Sequence, residues 1–177
     1  MSIFIPTFEF IGSCKAGDLV RVKVGDTSEW AILGARQSGF AQPLMILNAT
    51  TGPKTVNLFS EGRIEGDFAT IPALQYGSEF EIEPDHTGPI ALLAGETLKI
   101  PGRILQSGSD LYLIGKREDG GLDYVHLGNY TVHSEPGGQR ALYSKWRLTH
   151  KAILRDGKPR ALLDFEAPKA VRSQKAA

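Results

Sequence analysis

The stretch Ile32–Thr50, ILGARQSGFAQPLMILNAT, limits the fold more than any other feature, because a later stretch matches it. A shift of 81 positions places it without a gap on Leu113–Thr131, LIGKREDGGLDYVHLGNYT. Apolar positions and a turn glycine coincide throughout. The matched polar pairs are Arg36 and Arg117, Asn48 and Asn129, and Thr50 and Thr131.

A second block of matching residues lies downstream. Leu58–Ile64, LFSEGRI, aligns with Leu142–Leu148, LYSKWRL, and pairs Arg63 with Arg147. The later copy is longer than the earlier one between the two matching blocks. Its extra residues fall in the Pro/Gly-rich segment 133–140, where an insertion costs little free energy. Because internal repeats define an architecture, we predict a duplicated strand–turn–strand unit. The alternative is that any two hairpins share alternating apolar residues around a glycine turn.

Periodicity and turn content predict an all-β fold. The chain has 20 Gly and 10 Pro, which indicate many turns. Leu19–Val24 and Glu79–Glu83 alternate apolar and charged residues, as half-buried strands do. We predict two tandem, related modules that resemble small β-barrels or rolls, at 1–94 and 95–166, and a loose tail at 167–177. One larger β-sandwich is the alternative.

Turn residues predict two hairpins. Gly39 lies between Trp30–Ala35 and Pro43–Leu47, and 156–159 lies between two further apolar runs. The segment 139–153 fits either a strand or a helical face. Gly62, which aligns with Trp146 of this segment, disfavours the helix.

The chain lacks the signals of membrane insertion or secretion. No apolar run reaches the roughly 18–20 residues that span a bilayer, and the N-terminus has no basic leader or cleavage site. Cys14 is the single cysteine, so we expect no disulfide framework. We predict a location in the cytoplasm or within an assembled particle, without membrane contact.

A net charge of +0 hides a separation of charge along the chain. Residues 61–85 form an acidic pole, and residues 139–177 form a basic pole. The carboxylates of the acidic pole are Glu61, Glu65, Asp67, Glu79, Glu81, Glu83 and Asp85. The candidate partner-binding residues of the basic pole are Arg140, Lys145, Arg147, Lys151, Arg155, Lys158 and Arg160.

Three interpretations of the poles are open. In the first, both poles are solvated faces without a partner. In the second, the two poles dock on each other, within one chain or between copies. In the third, the basic pole binds phosphate groups.

The sequence carries no motif of a catalytic or metal site. GxSxG and GxxxxGK[ST] are absent. The four histidines, His86, His126, His133 and His150, lack the spacing of metal ligands. We predict no catalytic residue, metal or cofactor. The matched Arg36 and Arg117 are expected to bond loop carbonyls or pair with a carboxylate, and Asn48 and Asn129 to bond the turns that follow them.

These features favour a non-enzymatic structural or assembly protein that interacts with itself or with other subunits as an oligomer. Small β-modules recur in viral and other large assemblies, and we expect a component of such an assembly. The alternative is nucleic-acid or polyanion binding through the basic C-terminal third.

Overall fold

A computed structural model of the chain describes residues 4–35, 42–48, 54–60, 68–88, 90–91 and 99–168. These residues form β-strands and two single-turn 3-10 helices, Ile11–Ser13 and Phe68–Thr70, and contain no α-helix. The strands are β1 (Thr7–Phe10), β2 (Leu19–Val24), β3 (Thr27–Leu33), β4 (Pro43–Asn48), β5 (Thr55–Ser60), β6 (Pro72–Gly77), β7 (Phe80–Pro84), β8 (Ile90–Ala91), β9 (Ile104–Ser107), β10 (Asp110–Arg117), β11 (Leu122–His126), β12 (Val132–His133), β13 (Gln139–Tyr143), β14 (Lys145–Arg155) and β15 (Lys158–Glu166). The predicted all-β class is confirmed. Neither helical turn has the length or apolar character to cross a membrane, as judged within the described ranges.

The larger sheet contains 12 of the described strands. Its order is β1-β6-β2-β3-β4-β5-β10-β9-β13-β8, and β11 and β12 extend from the opposite side of β10. The strands β5 and β10 run parallel, with Asn57 beside Lys116 and Leu58 beside Arg117. Because β5 precedes and β10 follows residue 94, the sheet continues across the predicted module boundary.

The smaller sheet has 3 strands in the order β15-β14-β7. Strand β7 pairs with β14 from Trp146↔Pro84 to His150↔Phe80. The β14–β15 hairpin turns at Asp156 and Gly157, whose φ angles of 53° and 76° suit a tight hairpin turn. The predicted hairpin around 156–159 is therefore confirmed.

The two sheets face each other and are not closed into a barrel. The described residues therefore do not form the small closed barrels that the many short strands predicted. The reason is that strands from both predicted modules, such as β7 and β14, join the same sheet. This arrangement is nearer to the alternative of one larger sandwich.

The main hydrophobic core fills the space between the sheets. Trp30, Ile32 and Leu47 of the larger sheet face Trp146 and Phe165 of the smaller one in a single buried cluster. The Trp146 and Phe165 rings stack with centroids 4.5 Å apart. A second cluster lies on the other face of the larger sheet, around β2, β3 and β4. Strand β3 is consequently buried on both faces.

Local patterns predicted several strands closely. The predicted strand Leu19–Val24 coincides with β2. In β7, Phe80 is buried and Ile82 is half-buried, while Glu81 is exposed, as alternation predicted. The segment 139–153 forms strand rather than helix, since β13 ends and β14 begins on either side of Ser144.

Both copies of the matched stretch form hairpins, but their registers differ by one residue. Ile32 pairs with Met45 in β3–β4. Leu113, which aligns with Ile32, pairs with Val125, which aligns with Leu44. A slip of one residue turns a strand over, so Leu44 faces the second core cluster and Val125 the first. The gapless alignment therefore does not identify equivalent positions in the second strands, and the duplication stays a prediction.

Candidate interaction surfaces

The base of the β14–β15 hairpin carries opposite charges in register. Arg147 lies between Glu83 of β7 and Asp164 of β15. Its Nε donates to Asp164 Oδ1 across 2.6 Å, and this hydrogen bond raises the pKa of the Arg147 guanidinium. Opposite charges on neighbouring strands stabilise their pairing, so the base of the hairpin is electrostatically satisfied.

Two more cations of the basic pole also find carboxylates within the chain. Lys145 Nζ lies 3.5 Å from Glu166 Oε1. Lys151 Nζ lies 3.4 Å from Glu81 Oε1. The second pair joins the basic pole to the acidic pole inside one molecule, which is one of the arrangements that the sequence left open.

The other described carboxylates of the acidic pole are exposed or held by their own turn. Glu79 is exposed just before β7. Asp85 follows β7 and accepts hydrogen bonds from the Thr87 hydroxyl and backbone N–H, at 2.7 and 2.9 Å, which lower its pKa. The side chains of Glu61, Glu65 and Asp67, and that of Arg140 in β13, lie outside the description.

Three cations of the basic pole lie at the far end of the hairpin. Arg155, Lys158 and Arg160 are exposed. Within the described part of the chain these three form no ion pair. They line a shallow surface groove together with Asp156, Pro159 and Ala161. The basic pole is thus divided into a neutralised base and a charged end.

The repeat-matched residues that can be placed have structural contacts. Arg117 bonds Asp119 Oδ1 at 3.0 Å and Asp123 Oδ1 at 3.1 Å, which confirms the expected pairing with a carboxylate. Asn129 Oδ1 accepts from the N–H and hydroxyl of Thr131, as expected for a turn. Arg36 and Arg63 lie outside the described residues, and the Asn48 side chain does too.

His150 was not distinguished by the sequence, yet it is fully buried. Its Nδ1 accepts the Ala152 N–H at 3.2 Å, so Nε2 carries the proton and donates to the Tyr76 carbonyl at 2.8 Å. The Phe4 and Tyr76 rings pack against the imidazole. This contact links the smaller sheet to β6 of the larger one, so His150 has a structural role.

The other histidines line turns and grooves. His126 Nδ1 accepts two backbone N–H groups of the following turn, and its Nε2 lies 3.7 Å from Asp110. His133 contacts the Thr131 hydroxyl at 2.6 Å, and His86 packs on Tyr143. No group of three or more His, Cys, Asp or Glu side chains among the described residues could hold a metal ion.

The edge of the larger sheet at β1 carries an apolar surface that the sequence pattern does not reveal. Phe8 lies opposite Leu74 of β6, and Phe10 shares its face two residues along. In sequence, Thr7–Phe10 alternates like a half-buried strand, so alternation alone places both Phe residues in a core. In the fold these side chains are exposed.

The exposure of this surface rises toward the edge of the sheet. Register places Phe8, Leu74, Arg21 and Trp30 in one row, on the side that carries the main core. Trp30 is 8% exposed, Leu74 39% and Phe8 63%. The smaller sheet covers the inner end of the row, where Tyr76 packs against both Trp30 and His150, and leaves the outer end open.

The fold defines an all-β protein with two open sheets packed over a common core. Comparison with protein-family models, with curated proteins and with solved structures gave no match to the chain.

Proposed function

We propose that this protein is a non-enzymatic assembly subunit that docks onto a second copy of itself through the apolar edge of the larger sheet. We define the apolar edge as Phe8, Phe10 and Leu74. A single observation carries the proposal: a core-type face continues past the smaller sheet and ends in solvent. Exposed contiguous apolar surface on a folded protein marks an interaction site.

The residues of the apolar edge are suited to anchoring an interface. The Phe8 and Phe10 rings meet edge to face with centroids 5.9 Å apart, which gives a preformed aromatic pair. Beside them, the Arg21 guanidinium lies over Trp30, 4.9 Å from the ring centroid. Aromatic and Arg side chains are enriched at the energetic centres of protein interfaces.

A second copy fits this surface better than a charged partner does. The three side chains of the apolar edge are uncharged, so a two-fold axis centred on them brings two apolar patches together, and the one charge in the row, Arg21, lies over Trp30 beside the patch. Strand β1 is also the terminal strand of the described sheet. It is short and follows Pro6, a residue that discourages strand-to-strand addition, so we expect the faces rather than the backbones to dock.

The duplication belongs to this proposal. Two related strand–turn–strand units, in modules at 1–94 and 95–166, would account for the match of Arg36 with Arg117 in the sequence. A place in the cytoplasm or within an assembled particle agrees with the free, buried thiol of Cys14. The role in an assembly, for example a viral one, is the functional consequence that we propose.

Sedimentation equilibrium of the wild type and of a Phe8→Ser, Phe10→Ser variant tests the proposal. Burial of a Phe side chain contributes roughly 1.5–3 kcal/mol, so loss of two rings from each copy weakens a dimer by well over tenfold. We expect a dimer in the micromolar range for the wild type and a monomer for the variant.

Leu154→Ser is the matched control, because Leu154 is another exposed apolar residue, far along β14. It should leave the dimer intact. A wild-type monomer at all concentrations, or a dimer that persists in the Phe8, Phe10 variant, contradicts the proposal.

A further inference from the structure

The β14–β15 hairpin extends past the rest of its sheet. Strand β14 pairs with β7 as far as His150, and the Lys151 N–H then donates to the Glu79 carbonyl at 2.8 Å. Beyond that point, within the described residues, β14 pairs only with β15, at Leu154↔Pro159 and Arg155↔Lys158, after a shift in register between His150 and Leu154. We call residues 152–161 the hairpin tip.

One face of the hairpin tip carries three cations. Arg155 lies directly opposite Lys158. Arg160 follows Lys158 by two residues, so strand alternation places it on the same face. The turn residue Asp156 is the one carboxylate of the hairpin tip, so the three cations exceed the acidic residues there. Like charges directly opposite each other destabilise a strand pair, so this arrangement is a cost to the isolated fold.

The same two strands avoid that cost at their base. There Lys145 lies opposite Glu166, and Arg147 lies opposite Asp164. At its base, where the hairpin packs on the rest of the protein, its cations are therefore paired with carboxylates. At the projecting tip, within the described residues, they are not. This contrast indicates that the tip meets an anionic partner.

We propose that the hairpin tip binds the phosphate backbone of double-stranded DNA. Side chains two residues apart on a strand are separated by about 7 Å, so Lys158 and Arg160 reach different phosphate groups. The Arg fork matches phosphate oxygens. A two-stranded ribbon fits the major groove of DNA, about 12 Å wide, whereas the deep, narrow major groove of duplex RNA excludes it.

Contacts to phosphate oxygens carry no base sequence information, so the binding is independent of DNA sequence. This inference does not depend on self-association through the apolar edge.

Fluorescence anisotropy with a short, mixed-sequence DNA duplex and the full chain tests the inference. Non-specific binding has a dissociation constant of roughly 10⁻⁴ to 10⁻⁶ M at physiological salt. Three phosphate contacts give a slope of about −2.7 in the logarithm of affinity against the logarithm of salt concentration, a roughly fortyfold loss between about 50 and 200 mM.

The decisive comparison is between two variants of equal charge change. Arg155→Gln, Lys158→Gln, Arg160→Gln removes the tip cations, and Lys145→Gln, Arg147→Gln, Lys151→Gln removes the paired cations of the base. We expect the tip variant to lose at least tenfold in affinity and the base variant to stay within about twofold. Circular dichroism checks that both variants are folded.

Several results overturn the inference. They are absence of binding at about 50 mM salt, equal losses in the two variants, equal affinity for duplex RNA, and equal competition by polyglutamate. The last result assigns the tip to an acidic protein segment instead of DNA.

Discussion

Lys151 Nζ lies 3.4 Å from Glu81 Oε1, and this contact joins the basic and acidic poles within one chain. The cations at the base of the β14–β15 hairpin are therefore paired with carboxylates of the same chain. Within the described residues, the cations at its tip form no ion pair. Both side chains of the pair are about half exposed, so the pair alone does little to hold the smaller sheet in place.

The Lys151–Glu81 pair should contribute weakly to stability. Exposed ion pairs are screened by water and typically couple by about 0.2–1 kcal/mol. A double-mutant cycle of Lys151→Met and Glu81→Gln, followed by urea denaturation, should give a coupling energy in that range. A coupling above about 2 kcal/mol would mean that the poles hold the smaller sheet in place, contrary to this account.

His150→Ala should destabilise the protein strongly. The substitution leaves a cavity beside Phe4 and Tyr76 and removes the donor to the partly buried Tyr76 carbonyl. Together these effects should lower the free energy of unfolding by about 3–5 kcal/mol. Urea denaturation measures the change. His86→Ala, at an exposed position, should cost less than about 1 kcal/mol, and equal losses in the two variants would refute the structural role of His150.

Gly102→Ala should be costly because Phe165 occupies the space of a side chain. A Cβ at Gly102 would lie 2.5 Å from the Phe165 ring, and φ there is 90°. Gly25→Ala is the matched control, since its φ is 58° and nothing lies within 4 Å of its Cβ position. We expect a loss of about 1–2 kcal/mol for Gly25→Ala from backbone strain and a further 1–3 kcal/mol or more for Gly102→Ala from overpacking. Thermal unfolding that gave equal losses would disprove the close packing of Trp146, Phe165 and Gly102.

Cys14 should be nearly inert to alkylation at neutral pH. Burial, with smaller contributions from Asp18 and Glu9, raises the pKa of its thiol from 9.0 to about 11. The thiolate is the nucleophile, so the alkylation rate of the folded protein should rise through pH 11 and that of the urea-unfolded protein through pH 9. Mass spectrometry of iodoacetamide adducts measures both. Because the folded-state pKa is the higher one, this group's contribution to stability is full below pH 9 and is lost as pH rises toward 11. Rapid labelling of the folded chain at pH 8 would contradict the burial.

Sequence patterns predicted the elements that depend on neighbouring residues. Alternation in Leu19–Val24 gave β2 without error, and Asp156 and Gly157 gave the hairpin turn. Both signals are local, because the pleat and the turn angles are set by a few consecutive residues.

The pairing between distant segments could not be predicted from the sequence. Nothing local indicates that β5 runs parallel to β10 or that β7 joins β14 and β15. Alternation likewise indicates a strand with one apolar face and not whether that face is covered, so the sequence could not show that Phe8 and Phe10 are exposed. The ion pairs of the poles depend on the same long-range register, and so the division of the basic pole into base and tip emerged only from the fold.

Light scattering at low and at high salt tests the proposed self-association most directly. Docking through the apolar edge predicts a dimer whose mass is unchanged as salt increases, because apolar burial is not screened by ions. A monomer under both conditions contradicts the proposed function. A multimer that dissociates as salt increases also contradicts it, and assigns assembly to the charged poles instead.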